Sequence, residues 1–112
     1  MDNTLILSPD GKVLEGVRDK SIKSVVVPDS VTEIGGRAFS ETKWLEERPK
    51  GLVIINDILY SCTDKETTSV DIPNSVTKIG DAAFEGCTSL KSVDIPNSVT
   101  AIGYFLFANL GW

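Results

Sequence analysis

The feature that most constrains this chain is a nine-residue segment that occurs twice without change. Residues 69–77 read Ser-Val-Asp-Ile-Pro-Asn-Ser-Val-Thr, and residues 92–100 repeat them letter for letter, 23 positions later. A related segment, Ser-Val-Val-Val-Pro-Asp-Ser-Val-Thr, occupies residues 24–32, 45 positions before the first copy. A unit that recurs every 20 to 50 residues, roughly, is the signature of a solenoid, in which each unit buries its apolar face against its neighbours. The sequence therefore predicts a repeat solenoid.

Each copy continues into an isoleucine-glycine pair and then a phenylalanine, so the repeat extends past the identical segment. Stacked copies place equivalent residues one above another, and apolar residues in such columns form a continuous core. We therefore expect two buried columns, one made of Ile34, Ile79 and Ile102 and the other of Phe39, Phe84 and Phe107.

The segments that lead to the prolines are predicted to be strands. Val93 and Ile95 should point to one face and Asp94 to the other. Residues 25–27 read Val-Val-Val and should form the equivalent strand, ending at Pro28, which cannot donate to a ladder. Equivalent strands should pair in parallel and expose three outward rows: Val26, Asp71 and Asp94; Ser24, Ser69 and Ser92; Lys23, Thr68 and Lys91.

Two β-hairpins are predicted in addition to the repeated strands. Residues 4–17 contain two β-prone runs around a Ser-Pro-Asp-Gly turn, and residues 52–62 contain two more around an Asn-Asp pair. The second hairpin overlays the first when the sequence is shifted by 45 positions. The chain therefore reads as one short solenoid over residues 1–112, with hairpin 4–17, coil 22–45, hairpin 52–62, and coils 67–89 and 90–112.

The string Ile-Pro-x-Ser-Val-Thr-x-Ile-Gly at residues 95–103, preceded by Ala83, Phe84 and Cys87, resembles the BspA-type leucine-rich repeat. The resemblance covers residues 13–107. It implies a leucine-rich-repeat-like solenoid that is mostly β, with a parallel concave sheet, β-hairpin insertions and short helical or irregular turns. It also implies a bacterial surface or secreted protein that binds other proteins or matrix, with no catalytic motif to carry over.

The chain is acidic, with a net charge of −5 and a pI near 4.6. Binders of nucleic acid or anionic membranes carry clustered basic residues, whereas the basic residues here are scattered. No apolar run approaches the roughly 20 residues that span a bilayer. The opening Met-Asp-Asn-Thr lacks the features of a signal peptide. We expect no nucleic-acid partner and no membrane insertion; the resemblance implies the cell surface or secretion, with the cytoplasm as the alternative.

The two cysteines, Cys62 and Cys87, show no metal-ligand spacing, and the chain contains no histidine. They align with Val17 and Thr42 in the first unit, so two buried free thiols are expected, with a disulfide as the alternative. Without histidine, the Ser-His-Asp and Cys-His nucleophilic arrangements are excluded. We therefore expect no enzyme activity, no cofactor and no metal site.

Several outward side chains are candidates for binding. Asp71 and Asp94 should lie side by side, either as a solvated acidic strip or as a site that meets a cation or a basic partner. Trp44 stands at the Ser89 position of the repeat, where it either anchors a partner or covers the core. The ligand is predicted to be a protein or a matrix component. The candidate binding face comprises Val26, Asp71, Asp94, Lys23, Lys91 and Trp44.

The last coil is the least polar part of the repeat, because residues 104–107 read Tyr-Phe-Leu-Phe. Large exposed apolar patches are rare on monomers, so a homodimer through this coil is predicted. Its candidate surface comprises Tyr104, Phe105, Leu106 and Trp112. The leading functional hypothesis is a non-enzymatic protein-binding or adhesion module from a surface or secreted protein. The alternative is a small structural or self-assembling protein that acts through homo-oligomerisation.

Overall fold

A computed structural model of the chain describes residues 4–103. This part of the chain contains nine short strands and one single-turn helix, in agreement with the expectation of a mostly β chain. None of its helical structure is long and apolar enough to cross a membrane. In chain order the elements are β1 (Leu5–Leu7), β2 (Val13–Val17), β3 (Glu33–Ile34), α1 (Lys43–Glu46), β4 (Leu52–Ile55), β5 (Ile58–Cys62), β6 (Ser69–Asp71), β7 (Lys78–Ile79), β8 (Ser92–Asp94) and β9 (Ala101–Ile102).

Each half of the chain contains an antiparallel hairpin. β1 and β2 pair around a turn that includes Gly11, whose φ of 74° is one that glycine adopts readily. β4 and β5 are joined by Asn56 and Asp57, which have φ of 51° and 65°. Positive φ at both central residues is the geometry of the two-residue turn that matches the twist of the flanking strands. The Asn-Asp pair tolerates that geometry and closes the second hairpin.

The second strand of each hairpin is also a rung of a parallel ladder. β2 pairs with β3, β5 with β7, and β7 with β9, all in parallel. β2 and β5 thus take the place of a repeat copy in the ladder, a role that the sequence pattern did not reveal. The glycine after each isoleucine donates its N–H to the preceding rung: Gly35 to the Leu14 oxygen (2.9 Å), Gly80 to the Leu59 oxygen (2.9 Å) and Gly103 to the Ile79 oxygen (2.8 Å).

The predicted parallel pairing of the identical segments is confirmed for β6 and β8. These two strands form a sheet of their own, separate from the sheets β1-β2-β3 and β4-β5-β7-β9. Because the two strands have the same sequence, their pairing places identical residues opposite each other. The register joins Ser69 to Ser92, Val70 to Val93 and Asp71 to Asp94.

Residues 25–27 form no strand, which corrects the prediction. One 23-residue period later stand residues 47–50, Glu-Arg-Pro-Lys, where the proline cannot donate to a ladder and no strand forms. In the described part of the chain, residues 25–27 therefore have no neighbouring copy of the kind that β8 provides for β6. Val26 was predicted to continue the row of Asp71 and Asp94, but it lies outside that sheet and is 88% exposed.

The core divides into two clusters of buried side chains, the first of which also takes in Val53, Ile58 and Tyr60 of the second hairpin. Phe39 belongs to the first and Phe84 to the second, and both are fully buried. The predicted phenylalanine column is wrong in its contacts. Phe39 packs against Trp44, with ring centroids 4.8 Å apart, and edge-on against Tyr60, at 5.2 Å. Within residues 4–103, no ring contact joins Phe39 to Phe84.

The isoleucine column is buried only in part. Ile34 and Ile79 are buried as expected, whereas Ile102 is 50% exposed. Ile102 lies in β9, the edge strand of its sheet, so no further rung among the described residues pairs with it. Phe107, the last predicted core residue, lies outside the described residues.

Side-chain contacts join the two halves, because the sheets that end at β3 and begin at β4 are not paired to each other. One of these contacts is buried, and it satisfies a backbone N–H that would otherwise be left without an acceptor. The contacts that cross the junction include hydrogen bonds from Phe39 N–H to the Tyr60 hydroxyl (3.0 Å), from Asn56 Nδ2 to the Pro28 carbonyl oxygen (2.8 Å) and from Lys78 Nζ to the Thr32 carbonyl oxygen (2.9 Å), and the ion pair of Arg37 with Glu85 (2.6 Å).

The buried contact should dominate this junction. Tyr60→Phe keeps the ring but leaves the Phe39 N–H buried without an acceptor, which should lower the free energy of unfolding by about 1 to 3 kcal/mol. Arg37→Gln breaks an exposed ion pair at the same junction and should cost less than about 1 kcal/mol. Urea unfolding of both variants measures the difference, and equal losses would contradict this ranking.

Glu41 and Gly86 occupy the same repeat position and both have positive φ, at 65° and 81°. A non-glycine residue in this region carries backbone strain of order 1 kcal/mol, part of which glycine removes. Glu41→Gly should therefore stabilise the chain by about 0.5 to 1 kcal/mol in urea unfolding. Gly86→Ala should destabilise it by about 1 to 2 kcal/mol. The added Cβ would meet only the flexible Lys65 side chain, at 3.6 Å, so a steric clash would not explain the loss.

Candidate interaction surface

The outward face of β6 and β8 carries the predicted acidic pair. Along both strands the serine and aspartate side chains are exposed, while Val70 and Val93 face the core. The register places Asp71 beside Asp94. Neither carboxylate makes a hydrogen bond or an ion pair within residues 4–103. Like charges on adjacent strands repel each other, so this face holds negative charge that the described chain does not neutralise.

A shallow groove of about 570 Å³ begins at Asp94. Asn74 and Asn97, which hold the same repeat position, bring side-chain amides that can both donate and accept hydrogen bonds. This asparagine pair was not among the predicted binding residues, although its recurrence in the identical segments was the available signal. The groove is lined by Ile72, Asn74, Asp94, Ile95, Pro96, Asn97 and Ser98.

Only some of the predicted binding residues come together. Lys91 directly precedes β8, and its backbone N–H donates to the Thr68 carbonyl oxygen (2.8 Å), so it lies at the Ser92 end of the strand pair, opposite the end that carries the aspartates. Lys23 and Val26 lie in the segment that precedes Pro28, outside the sheet of β6 and β8. The expected rows of three equivalent residues are therefore rows of two.

Trp44 lies in α1 and covers the core of the first half. Its ring packs on Phe39 at 4.8 Å, and the Arg48 guanidinium lies 5.0 Å from the ring centroid in a cation–π contact. The buried Thr42 hydroxyl caps α1 by accepting a hydrogen bond from the Leu45 N–H (3.1 Å). These contacts match the core-covering alternative for Trp44.

Hydroxyl groups outside the predicted binding face form hydrogen bonds between adjacent turns. Each donates to a backbone carbonyl of the preceding copy or hairpin, so the turns beside the groove are fixed relative to one another. Their signal in the sequence is that they recur at equivalent repeat positions. The bonds are Ser98 Oγ to the Val76 oxygen (2.8 Å), Thr100 Oγ1 to the Thr77 oxygen (3.3 Å) and Ser30 Oγ to the Gly11 oxygen (3.1 Å).

Both cysteines are buried free thiols, which confirms that prediction. Cys87 Sγ lies 3.7 Å from the Cys62 carbonyl oxygen. Burial raises the pKa of the Cys87 thiol to about 11, although the nearby Lys65 ammonium acts in the opposite direction. The thiolate is the nucleophilic form of cysteine, so the Cys87 thiol is inert at neutral pH.

Two other carboxylates in the described chain, those of Asp10 and Asp19, accept hydrogen bonds within turns. Hydrogen bonds from the Ser8 and Ser21 hydroxyls, both 2.6 Å, hold the pKa values of Asp10 and Asp19 below their ordinary range. Within residues 4–103, no group of three histidine, cysteine or acidic side chains is arranged to hold a metal ion. The predicted dimer residues Tyr104, Phe105, Leu106 and Trp112 lie outside the described residues.

Comparison with known proteins gives one match. A family model described as a BspA type leucine rich repeat region, with six copies, matches residues 17–111. No curated protein and no solved structure matches the chain.

The buried thiol makes a pH-dependent contribution to stability. The pKa of Cys87 is about 11 in the folded chain against an ordinary value of 9.0, so this contribution is complete below pH 9 and is lost between pH 9 and 11. The loss should be on the order of 1 to 3 kcal/mol, since solvent and the neighbouring Cys62 thiol reduce the effect of the shift. Urea unfolding across this range measures it. Cys87→Ala should flatten the dependence but leave the part due to Tyr60, whose pKa burial also raises; an unchanged slope would contradict the assignment.

Proposed function

Because the chain belongs to the BspA-type leucine-rich-repeat family, we propose that it is a non-enzymatic protein-binding or adhesion module that recognises its partner through the outward face of β6 and β8. Leucine-rich repeats generally mediate protein interaction or adhesion. The parallel pair β6 and β8 is assigned to the concave side of the solenoid, and its outward side chains make the contacts.

The observation that carries this proposal is the register-matched pair Asp71 and Asp94. Both carboxylates are exposed and have no partner within residues 4–103, so the described fold does not depend on them. The groove beside Asp94 adds two amides and the apolar surface of Ile95 and Pro96. A charged pair next to a mixed polar and apolar groove suits a protein segment, because charges steer encounter and the groove supplies contact area.

The partner is expected to present basic side chains. The chain has a net charge of −5, and two of its negative charges are concentrated at this pair. An extended segment with a lysine or arginine opposite the aspartates, followed by an apolar residue over the groove, satisfies both features. Attraction of this kind weakens as salt is added, because ions screen exposed charges over about 10 Å at 0.1 M.

BspA-type proteins are usually bacterial surface or secreted proteins, and we extend that location to this chain. Immunoblotting of fractionated cells of the native host tests the location. Recovery at the surface or in the medium supports it, whereas recovery in the cytoplasm alone contradicts it.

The binding face can be tested without knowing the natural ligand. Peptides selected from a random displayed library on the immobilised chain should be rich in lysine and arginine. Asp71→Asn combined with Asp94→Asn should weaken their binding by about tenfold, equivalent to about 1.4 kcal/mol, and added salt should weaken the wild-type complex in the same direction.

A matched control separates this face from overall charge. Glu15→Gln combined with Glu47→Gln makes the same change of +2 in net charge at two other exposed positions. This control should leave peptide binding within about twofold of wild type, since distant exposed charges are largely screened. If both double variants weaken binding equally, the face of β6 and β8 is not the site.

A further inference from the structure

The backbone of residues 23–27, Lys-Ser-Val-Val-Val, is not hydrogen-bonded within the described chain. None of their N–H or carbonyl groups makes a hydrogen bond with any residue of the described chain. In the two later repeat copies the equivalents of residues 24–26 form β6 and β8, where the backbones pair with each other. The first copy therefore has the sequence of a strand and lacks the neighbour that would make it one.

The side chains of this segment already alternate as in a strand. Val25 and Val27 are half-buried against the core of the first half, whereas Ser24 and Val26 are exposed. Val26 is 88% exposed, the highest value among the exposed large apolar side chains in residues 4–103. An extended segment with one face packed on the core and a free backbone edge is a template for pairing with another strand.

We propose that two copies of this chain pair through residues 24–28 as antiparallel strands, related by a two-fold axis at Val26. Antiparallel pairing of identical strands is closed by such an axis, so the contact yields a dimer rather than an open filament. The pairing uses a part of the chain other than the face of β6 and β8, so it stands independently of the proposed function.

The proline determines which residues form hydrogen bonds across this axis. With Val26 opposite its own copy, Ser24 faces Pro28 of the second copy. Pro28 has no N–H, and its carbonyl oxygen already accepts from Val31 N–H (3.1 Å) and Asn56 Nδ2 (2.8 Å). The pair of Ser24 with Pro28 must therefore be a non-hydrogen-bonded pair. Because the two kinds of pair alternate along antiparallel strands, the pair of the two Val26 residues is also non-hydrogen-bonded, and in such pairs opposite side chains approach most closely. The two exposed valines then cover each other.

The intervening pairs match in both backbone and charge. Val25 of one copy faces Val27 of the other, and the free N–H and carbonyl groups of both can form the ladder bonds. Asp29 begins the turn that follows Pro28, so at each end of the pairing Lys23 of one copy comes near Asp29 of the other, and opposite charges meet on both sides of the axis. This charge complementarity, at a register that the proline permits, identifies a second copy as the occupant.

Analytical ultracentrifugation of the full chain tests the pairing. A single strand pair is a small interface, so the mass should rise above 12.1 kDa toward the dimer value as the protein concentration approaches about 1 mM. Lys23→Asp or Asp29→Lys alone should raise the dissociation constant by about tenfold or more, because like charges then face each other. The two changes combined should restore the wild-type value, since the pairing is symmetric.

Further variants complete the test. Val26→Asp should abolish the dimer by placing like charges at the axis. Lys50→Asp, which makes the same charge change as Lys23→Asp in another exposed loop, should leave the dimer intact. Circular dichroism checks that each variant is folded. The proposal is overturned by a monomer throughout the concentration range, or by a charge-swap double variant that remains monomeric. A dimer that Phe105→Asp dissociates but Val26→Asp does not would also overturn it and would place the interface in the C-terminal coil.

Discussion

The structure depends on one backbone requirement: each parallel strand needs a neighbour one repeat along the chain. The bonds from Gly35 and Gly80 to the preceding hairpin show how the ladder meets this requirement. The hairpins take part because β2 and β5 present a free edge on which the next rung is built. Where the neighbour is missing, as beside residues 25–27, valines with high β-propensity form no strand. Pairing, and not local propensity, decides which segments of this chain become strands.

The two halves are related by a shift of 45 residues, yet they differ where they meet. Tyr60 and Asn56 in the second hairpin stand at the positions of Glu15 and Gly11 in the first. Tyr60 and Asn56 face the first half and bond to its backbone, whereas Glu15 is exposed. A ladder of backbone bonds can join any two copies, but the junction between the sheets needs side chains that reach across it. The differences between the hairpins therefore follow from their different neighbours.

Letter-for-letter identity made much of this arrangement predictable. The identity implied that β6 and β8 pair with each residue opposite its own equivalent, and hence that Asp71 lies beside Asp94. Other features were hidden because they depend on distant neighbours. The rung made by β2 lies 20 residues before β3, a spacing that no sequence identity marks. The contact of Phe39 with Tyr60 joins a repeat copy to a hairpin, and a pattern of equivalent positions cannot show it. The candidate groove lies between two repeat copies, because Ile72 and Asn74 of one copy and residues 94–98 of the next line it. Its shape therefore depends on how the two copies pack, which the sequence of either copy does not show.

The same repeat position presents two different kinds of surface. At Asp71 and Asp94 the backbone is bonded in a sheet, so only the side chains remain for a partner. At Val26 the side chain is apolar and the backbone makes no hydrogen bond within residues 4–103. The partner proposed for the first surface is selected by charge and by the groove, whereas the partner proposed for the second is a strand in a matching register. A repeat protein can thus acquire a second mode of recognition through the loss of one strand from its ladder, with the fold otherwise unchanged.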